Sequence, residues 1–182
     1  MLRKHVILLT GSPGIGKTTL ISKIITILKE KAVDVGGMIT LERREGGTRV
    51  GFEIIDLTNS RRAWLAHINQ KQGPIIGKYR VNMENLNIIG AQAISDAVEK
   101  CDVVVVDEIG PMELLSDEFR KAIEKTLSCE KLFIATVHQK ARDHIIDELK
   151  ERYEAETIIL TRENREIALE NIVCKIKEIC KL

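Results

Sequence analysis

One stretch predicts the fold of this chain: Gly11-Ser12-Pro13-Gly14-Ile15-Gly16-Lys17-Thr18, which matches the pattern GxxxxGK[ST] at every fixed position. The short apolar run His5–Thr10 before it predicts a buried strand, and the apolar residues from Ile21 to Leu28 after it recur with helical spacing. Glycines at these positions let backbone N–H groups surround a phosphate closely. The N-terminus of the following helix adds partial positive charge at the same place. The stretch therefore predicts a phosphate-binding loop between a strand and a helix.

The fixed polar positions of this pattern each have a chemical role in binding a nucleoside triphosphate. Lys17 supplies a positive charge for the β and γ phosphates, and the Thr18 hydroxyl can ligate the Mg²⁺ that bridges them. We assign Lys17 to catalysis as well as binding, and Thr18 to the metal. The predicted nucleotide-binding residues of this segment are Gly11, Ser12, Pro13, Gly14, Ile15, Gly16, Lys17, Thr18 and Thr19.

A second acidic motif follows a run of four valines, Val103–Val106. An unbroken apolar run predicts a strand that is buried on both faces, as in a parallel sheet. Asp107 then lies at the carboxyl end of that strand, where ligands bind in open α/β sheets, and we assign it to the Mg²⁺ site. Glu108 can orient or deprotonate an attacking water, which favours hydrolysis over transfer to an organic acceptor. The alternative is a solvated acidic turn at the end of a strand.

Several further residues lie at the ends of predicted strands. Thr136 and His138 end the strand Lys131–Val137, where a polar side chain can sense the γ-phosphate. Asn164 and Arg165 follow the last predicted strand, in a loop expected near the first strand, and we predict that they contact the base or a phosphate. The alternative for this loop is helix capping by Thr161 or Asn164. Arg61-Arg62 could approach a phosphate, or could be an exposed pair.

Strands alternate with helices along the chain, which predicts an α/β fold. We predict a single P-loop NTPase domain over residues 1–182, with a doubly wound, mainly parallel sheet and the Asp107 strand not adjacent to the first strand. Roughly residues 40–85 are predicted to form a β-rich insertion. The remaining predicted elements are strands Val35–Leu41, Thr40–Arg44, Thr48–Leu57, Lys78–Val81 and Thr157–Leu160, and helices Leu86–Lys100, Ala141–Tyr153, Arg165–Cys180 and one beginning at Ser116.

Composition bounds the class of protein and its partners. The formal net charge is +1, so no global field indicates nucleic acid as a partner. No apolar run approaches the roughly 20 residues needed to span a bilayer, and the apolar run after the basic N-terminus is too short for a signal peptide. We therefore predict a cytoplasmic protein with no membrane partner, expect a monomer, and leave a protein partner open.

The motifs resemble a known family, the small nucleoside-triphosphatases first described in thermophiles, which include a human cancer-related member. The resemblance covers nearly the whole chain, and its most specific segment runs from Val106 to Leu114. The other matching segments are Thr10–Thr19, Val50–Phe52, Arg62–Ala66, Gly77–Val81, Leu160-Thr161 and Asn164-Arg165. Arg61-Arg62 departs from the family pattern, which has glycine before the basic residue, so no specific role is carried over to this pair.

The resemblance implies Mg²⁺-dependent, slow hydrolysis of several nucleoside triphosphates to diphosphate and phosphate, with little base preference. It also implies that the nucleotide is lined by the phosphate loop and by Val103, Val104, Val105, Val106, Asp107, Glu108, Ile109 and Gly110. Two other functions stay open on the sequence alone. One is a kinase for a nucleotide or another small molecule, with the insertion as an acceptor lid. The other is a nucleotide-operated switch that binds a protein or RNA.

Overall fold

A computed structural model describes residues 5–151 and 155–180, and within them it forms one nine-stranded sheet. The strands are β1 (Val6–Thr10), β2 (Val35–Glu45), β3 (Thr48–Asp56), β4 (Arg62–His67), β5 (Ile75–Ile76), β6 (Tyr79–Val81), β7 (Val103–Ile109), β8 (Leu132–Val137) and β9 (Glu156–Ile159). Across the sheet they follow the order β5-β6-β4-β3-β2-β7-β8-β1-β9. The predicted α/β architecture is therefore confirmed.

The parallel part of the sheet consists of β2, β7, β8, β1 and β9. Strand β8 lies between β1 and β7, so the strand that carries Asp107 is not adjacent to the first strand, as predicted. Along β7, Val103 and Val105 point into one apolar core, whereas Val104 and Val106 point into the core on the other face. The valine run is thus explained by burial on both sides of the sheet.

Helices cover both faces of this parallel part. They are α1 (Lys17–Glu30), α2 (Met83–Asn85), a π-helical segment (Leu86–Ala91), α3 (Gln92–Lys100), a 3₁₀ turn (Glu113–Leu115), α4 (Asp117–Ser128), α5 (His144–Glu151) and α6 (Arg165–Cys180). Helices α1 and α6 share one core, and α3, α4 and α5 share the other. No helix within the described ranges has the length and apolar character to cross a membrane.

The insertion continues the same sheet as four antiparallel strands. Strand β2 pairs with β7 from Val35 to Ile39 and with β3 from Met38 to Glu45, so it takes part in both halves of the sheet. The two separate strands predicted for residues 35–44 are in fact this one strand, because its first residues pack between helices and its last ones lie on a solvated hairpin. The sequence did not predict β4, a short strand with polar residues at both ends.

Other boundaries also differ from the prediction. The helix predicted to begin at Leu86 begins at Met83, because the Asn82 side chain caps its N-terminus by accepting a hydrogen bond from the Asn85 amide. The helix predicted to begin at Ala141 begins at His144, and its predicted end at Tyr153 lies outside the described residues. Ser116 caps α4 as predicted, accepting a hydrogen bond of 3.0 Å from the Phe119 amide.

Candidate active site

The glycine-rich segment forms a tight loop between β1 and α1. Gly11 and Gly16 have φ values of +145° and +103°, which favour glycine over residues with side chains. A Cβ added at Gly11 would lie 2.7 Å from the Leu160 carbonyl oxygen, so the loop also packs too closely against the segment after β9 to admit a side chain. The loop backbone is therefore fixed from both sides, in a position from which its N–H groups can surround a phosphate.

Lys17, the first residue of α1, folds back over this loop. Its ammonium group donates a hydrogen bond of 3.1 Å to the Gly11 carbonyl, and its Nζ lies 3.9 Å from Oε2 of Glu108. The lysine is buried, so its charge acts with little screening by solvent. The Lys17 ammonium group, which we predict to bind the phosphates, thus lies between the loop and Glu108.

Asp107 lies at the end of β7 and is almost fully buried. The Thr136 hydroxyl donates a hydrogen bond to its Oδ1, and the Thr18 side chain is hydrogen-bonded to the same carboxyl group. Its Oδ2 is buried and has no hydrogen-bond partner among the described residues. Burial raises the pKa of this carboxyl group above its ordinary value, with the hydrogen bonds and Lys17 opposing the effect.

These contacts fit the predicted Mg²⁺ site. A buried carboxylate oxygen without a partner is costly unless a cation or a water on a cation completes it. Mg²⁺ is usually held by one or two protein oxygens together with substrate phosphates, rather than by a full protein cage. Within the described ranges, no cluster of three His, Cys, Asp or Glu side chains suited to a metal occurs.

Glu108 reaches into the same space from the next position along the chain. Its side chain is 29% exposed, which leaves it accessible to a water or a phosphate in the cleft. Burial raises the pKa of Glu108, and the nearby charge of Lys17 lowers it. The carboxylate is therefore held beside a cation at a position that solvent can reach.

Glu113 is a site residue that the sequence did not single out. Its carboxyl group is buried and accepts hydrogen bonds from the backbone amides of Gly110 and Glu113 itself. A Cβ added at Gly110 would lie 2.9 Å from Glu108 Oε1 and 3.1 Å from Glu113 Oε2, so the two carboxyl groups flank this glycine. Burial, and then the charge of Glu108, raises the pKa of Glu113 to about 8. Glu113 therefore carries a proton at neutral pH.

We expect this buried acid to make the stability of the protein fall as pH rises. The pKa of Glu113 is about 8 in the folded protein against 4.5 ordinarily, so between these values the folded state retains a proton that the unfolded state has lost. The contribution of Glu113 to the free energy of unfolding is fully present below pH 4.5 and is lost as the pH rises toward 8. In Glu113→Gln, the decrease between those pH values should shrink by about 2–4 kcal/mol.

Urea unfolding of the nucleotide-free protein across this pH range measures the effect. The matched control is Glu124→Gln on the exposed face of α4, which should keep the wild-type pH dependence. Identical pH profiles for wild type and Glu113→Gln would show that Glu113 is not a protonated buried acid.

A cleft of about 570 Å³ joins these groups. It runs from the phosphate loop, past the carboxyl groups of Asp107, Glu108 and Glu113, to the antiparallel strands of the sheet. His138 also lines it, and burial, followed by the charges of Lys17 and Lys140, lowers the pKa of this imidazole. The lining residues are Pro13, Gly14, Gly16, Lys17, Thr18, Thr19, Thr40, Glu42, Arg49, Phe52, Leu65, Ile76, Gly77, Tyr79, Asp107, Glu108, Pro111, Met112, Glu113 and His138.

Some of the predicted nucleotide-binding residues lie elsewhere. The side chains of Val103–Val106 are buried in the two cores, so they position Asp107 rather than line the cleft. The Asn164 side chain accepts a hydrogen bond from the Thr161 amide and donates one to the Ile159 carbonyl, so it is bonded within its own loop. The Thr161 hydroxyl accepts a hydrogen bond of 3.3 Å from the Asn164 amide, just before α6. Arg61-Arg62 does not line the cleft.

Other predicted residues remain next to the loop. The Arg165 guanidinium packs against Gly16, where an added Cβ would lie 3.5 Å from its Nη1. Gly11, Ser12 and Ile15 belong to the phosphate loop, and the Ile15 amide donates a hydrogen bond of 3.1 Å to the Ser12 carbonyl. Ile109 is fully buried at the end of β7, and Gly110 lies between Glu108 and Glu113.

Comparison with known proteins gives relatives along almost the full length of the chain. A family model described as NTPase matches residues 6–173. A nucleoside-triphosphatase THEP1 from Thermofilum pendens is 44% identical over 161 residues, which cover 88% of each chain. A second THEP1, from Methanocaldococcus jannaschii, is 42% identical over 171 residues, which cover 93% of this chain and 96% of the relative.

Solved structures show the same fold. The crystal structure of THEP1 from Aquifex aeolicus superimposes with a TM-score of 0.81 at 30% identity, covering 91% of this chain and 95% of the other. The solution structure of a human cancer-related nucleoside triphosphatase superimposes with a TM-score of 0.82 at 31% identity, covering 96% and 98%. The resemblance inferred from the motifs is confirmed by these matches.

Proposed function

The chain belongs to the NTPase family, and from this membership we propose that it hydrolyses Mg²⁺-bound nucleoside triphosphates to diphosphate and phosphate with little base preference. Nucleoside-triphosphatase activity itself follows from the family and its relatives. The observation that carries the proposed hydrolysis is the position of Glu108, whose carboxylate lies 3.9 Å from Lys17 in a cleft that begins at the phosphate loop.

Lys17 and the loop amides bind the phosphates in this mechanism. The Lys17 ammonium group donates a hydrogen bond to the Gly11 carbonyl and lies beside Glu108. A bound γ-phosphate offers a stronger, charged acceptor at the same place, so the lysine exchanges partners without leaving the cleft. Its charge then offsets the negative charge that develops on the phosphates during the reaction.

Thr18 and Asp107 are the residues that would hold Mg²⁺, through the Thr18 hydroxyl and the unpartnered Asp107 Oδ2. When bound, the ion would supply positive charge that offsets the charge of the phosphates. Thr136 fixes the other oxygen of Asp107 by its hydrogen bond, so the carboxylate cannot rotate freely. Replacing any of these three side chains should therefore weaken the metal site.

Glu108 is the residue that we assign to the attacking water. It follows Asp107 directly, is accessible from the cleft, and lies beside the cation that contacts the γ-phosphate. A carboxylate in this position can accept a hydrogen bond from a water and turn its lone pair toward the phosphorus. Little base preference is expected, because the Asn164 side chain is occupied by its own loop and is not free to read a base.

We expect phosphate release from ATP, GTP, CTP and UTP at rates within about tenfold of one another. The reason is that contacts to the phosphates, which are the same in all four nucleotides, dominate binding. The measurement is the rate of phosphate release from each nucleotide with Mg²⁺ present and again after chelation by EDTA. Chelation should abolish release, and added Mg²⁺ should restore it. Equal release with and without metal, or no release from any of the four, would contradict the proposed reaction.

A further inference from the structure

The cleft is longer than the phosphate-binding region and ends at a wall formed by the antiparallel strands. In the sheet, Asp107 and Glu108 lie between the phosphate loop on one side and β2, β3, β4 and β6 on the other. The loop that follows β9, with Arg165 packed on Gly16, lies on the opposite side of the phosphate loop from this wall. A triphosphate whose base extends toward Arg165 therefore leaves this far wall uncovered.

Arg49 provides a fixed positive charge on the far wall. Its Nε donates a hydrogen bond of 2.8 Å to the Tyr79 hydroxyl, and its Nη1 donates one of 2.8 Å to Glu42 Oε2. The guanidinium carbon also lies 5.3 Å from the centroid of the Phe52 ring and 5.8 Å from that of Tyr79. These two N–H groups hold the guanidinium group in place, and the two N–H groups on Nη2 have no hydrogen-bond partner among the described residues.

Arg49 forms an ion pair with Glu42 and still has N–H groups that a ligand in the cleft can use. A guanidinium group that is held by two contacts loses little further freedom when it binds, and its planar fork matches the oxygens of a phosphate. Glu42, which accepts a hydrogen bond from Arg49, also pairs with Arg44, so its single negative charge is shared between two cations.

The cleft also has an apolar floor. It is formed by the side chains of Phe52, Ile76 and Met112, which line the cleft together with Arg49 and the carboxylates. A ligand that covers this floor needs an apolar, ring-sized body in addition to an anionic group for Arg49. The combination fits a ring system that carries one phosphate.

We propose that this far wall is a second binding subsite, which takes a nucleoside monophosphate alongside the triphosphate, with the monophosphate's phosphate on Arg49 and its base on the apolar floor. The proposal rests on the phosphate loop being the triphosphate site. It places the second ligand across Asp107 and Glu108 from the phosphate loop, at a distance from the base of the triphosphate. No group transfer is required for this binding.

Calorimetric titration with AMP and with GMP tests the proposal, using protein whose phosphate loop is saturated with Mg²⁺ and a β,γ-imido triphosphate analogue. We expect one equivalent of monophosphate to bind without displacing the analogue, which a labelled analogue reports directly. Adenosine lacks the phosphate, so its affinity should be lower than that of AMP by about tenfold or more, because a hydrogen bond to a charged group contributes about this factor. Arg49→Ala should weaken AMP binding by about tenfold or more.

Arg43→Ala is the matched control. Arg43 lies on the same hairpin, is paired with Glu53, and has a side chain 41% exposed against 43% for Arg49, but it does not line the cleft. The affinity of Arg43→Ala for AMP should be within about twofold of wild type, because Arg43 does not line the cleft. The fold should be retained, since a partly exposed ion pair contributes little to stability. Thermal unfolding of both variants checks that each is folded.

The following outcomes would overturn the proposal. These are displacement of the analogue by AMP, no AMP binding to the analogue-bound protein, and equal loss of AMP binding in Arg49→Ala and Arg43→Ala. The proposal would also be overturned if Arg49→Ala lowered the affinity for the triphosphate analogue as much as the affinity for AMP. The far wall would then belong to the triphosphate site. Failure of hydrolysis itself appears separately, in the phosphate-release assay without any monophosphate.

Discussion

Replacing Glu108 by glutamine should lower kcat for phosphate release by about 10²–10⁴-fold while leaving nucleotide binding nearly unchanged. Glutamine keeps the size of the side chain and can still contact Lys17, but it cannot take up a proton from water. The Glu108 carboxylate is the accessible acidic group beside Lys17, whereas Asp107 is buried and held by Thr136. Single-turnover phosphate release and equilibrium binding of a labelled triphosphate measure the two quantities.

Glu99→Gln is the matched control for this substitution. Glu99 also pairs with a lysine, its Oε1 lying 2.8 Å from Lys125 Nζ, but the pair is exposed and remote from the cleft. This control should hydrolyse at the wild-type rate. A Glu108→Gln variant that hydrolyses at the wild-type rate would remove Glu108 from the mechanism. Loss of binding in parallel with loss of rate would instead make Glu108 a binding residue.

The parts of the site that the sequence predicted are those encoded locally. The phosphate loop is determined by glycines within eight residues and by the strand and helix directly beside it. Asp107 and Glu108 could be placed because a run of four valines marks a strand buried on both faces, and the carboxyl end of such a strand faces the ligand. Neither inference needs any contact between distant parts of the chain.

The parts that the sequence did not predict depend on contacts between distant residues. Glu113 lies in the most specific segment of the chain, but only the fold shows that it is buried beside Glu108. Arg49 has no local motif, and its position depends on Tyr79 and Glu42, 30 and 7 residues away in the chain. The sequence drew attention to Arg61-Arg62 because the two arginines are adjacent, whereas strand pairing brings Arg49 to the cleft.

Replacing Lys17 by methionine should lower kcat/KM by about 10²–10³-fold or more, because it removes the charge that stabilises the transition state and the bound phosphates. Methionine keeps an unbranched, buried side chain, so packing at the start of α1 should be largely retained. The control is Lys23→Met, on the exposed face of the same helix, which should keep wild-type kinetics. Comparable losses in both variants would mean that the effect comes from the helix and not from the phosphate contact.

The pH dependence of the residual activity distinguishes the two roles of Lys17. Its charge lowers the pKa of Glu108, whereas burial raises it. Without Lys17 the pKa of Glu108 should therefore rise, so that a higher pH is needed to form the carboxylate that accepts the proton of water. The rising limb of the pH–rate profile should move to higher pH in Lys17→Met and stay in place in Lys23→Met. A profile that falls in height without moving would mean that Lys17 acts on the phosphates alone and that its contact with Glu108 has no part in setting the base.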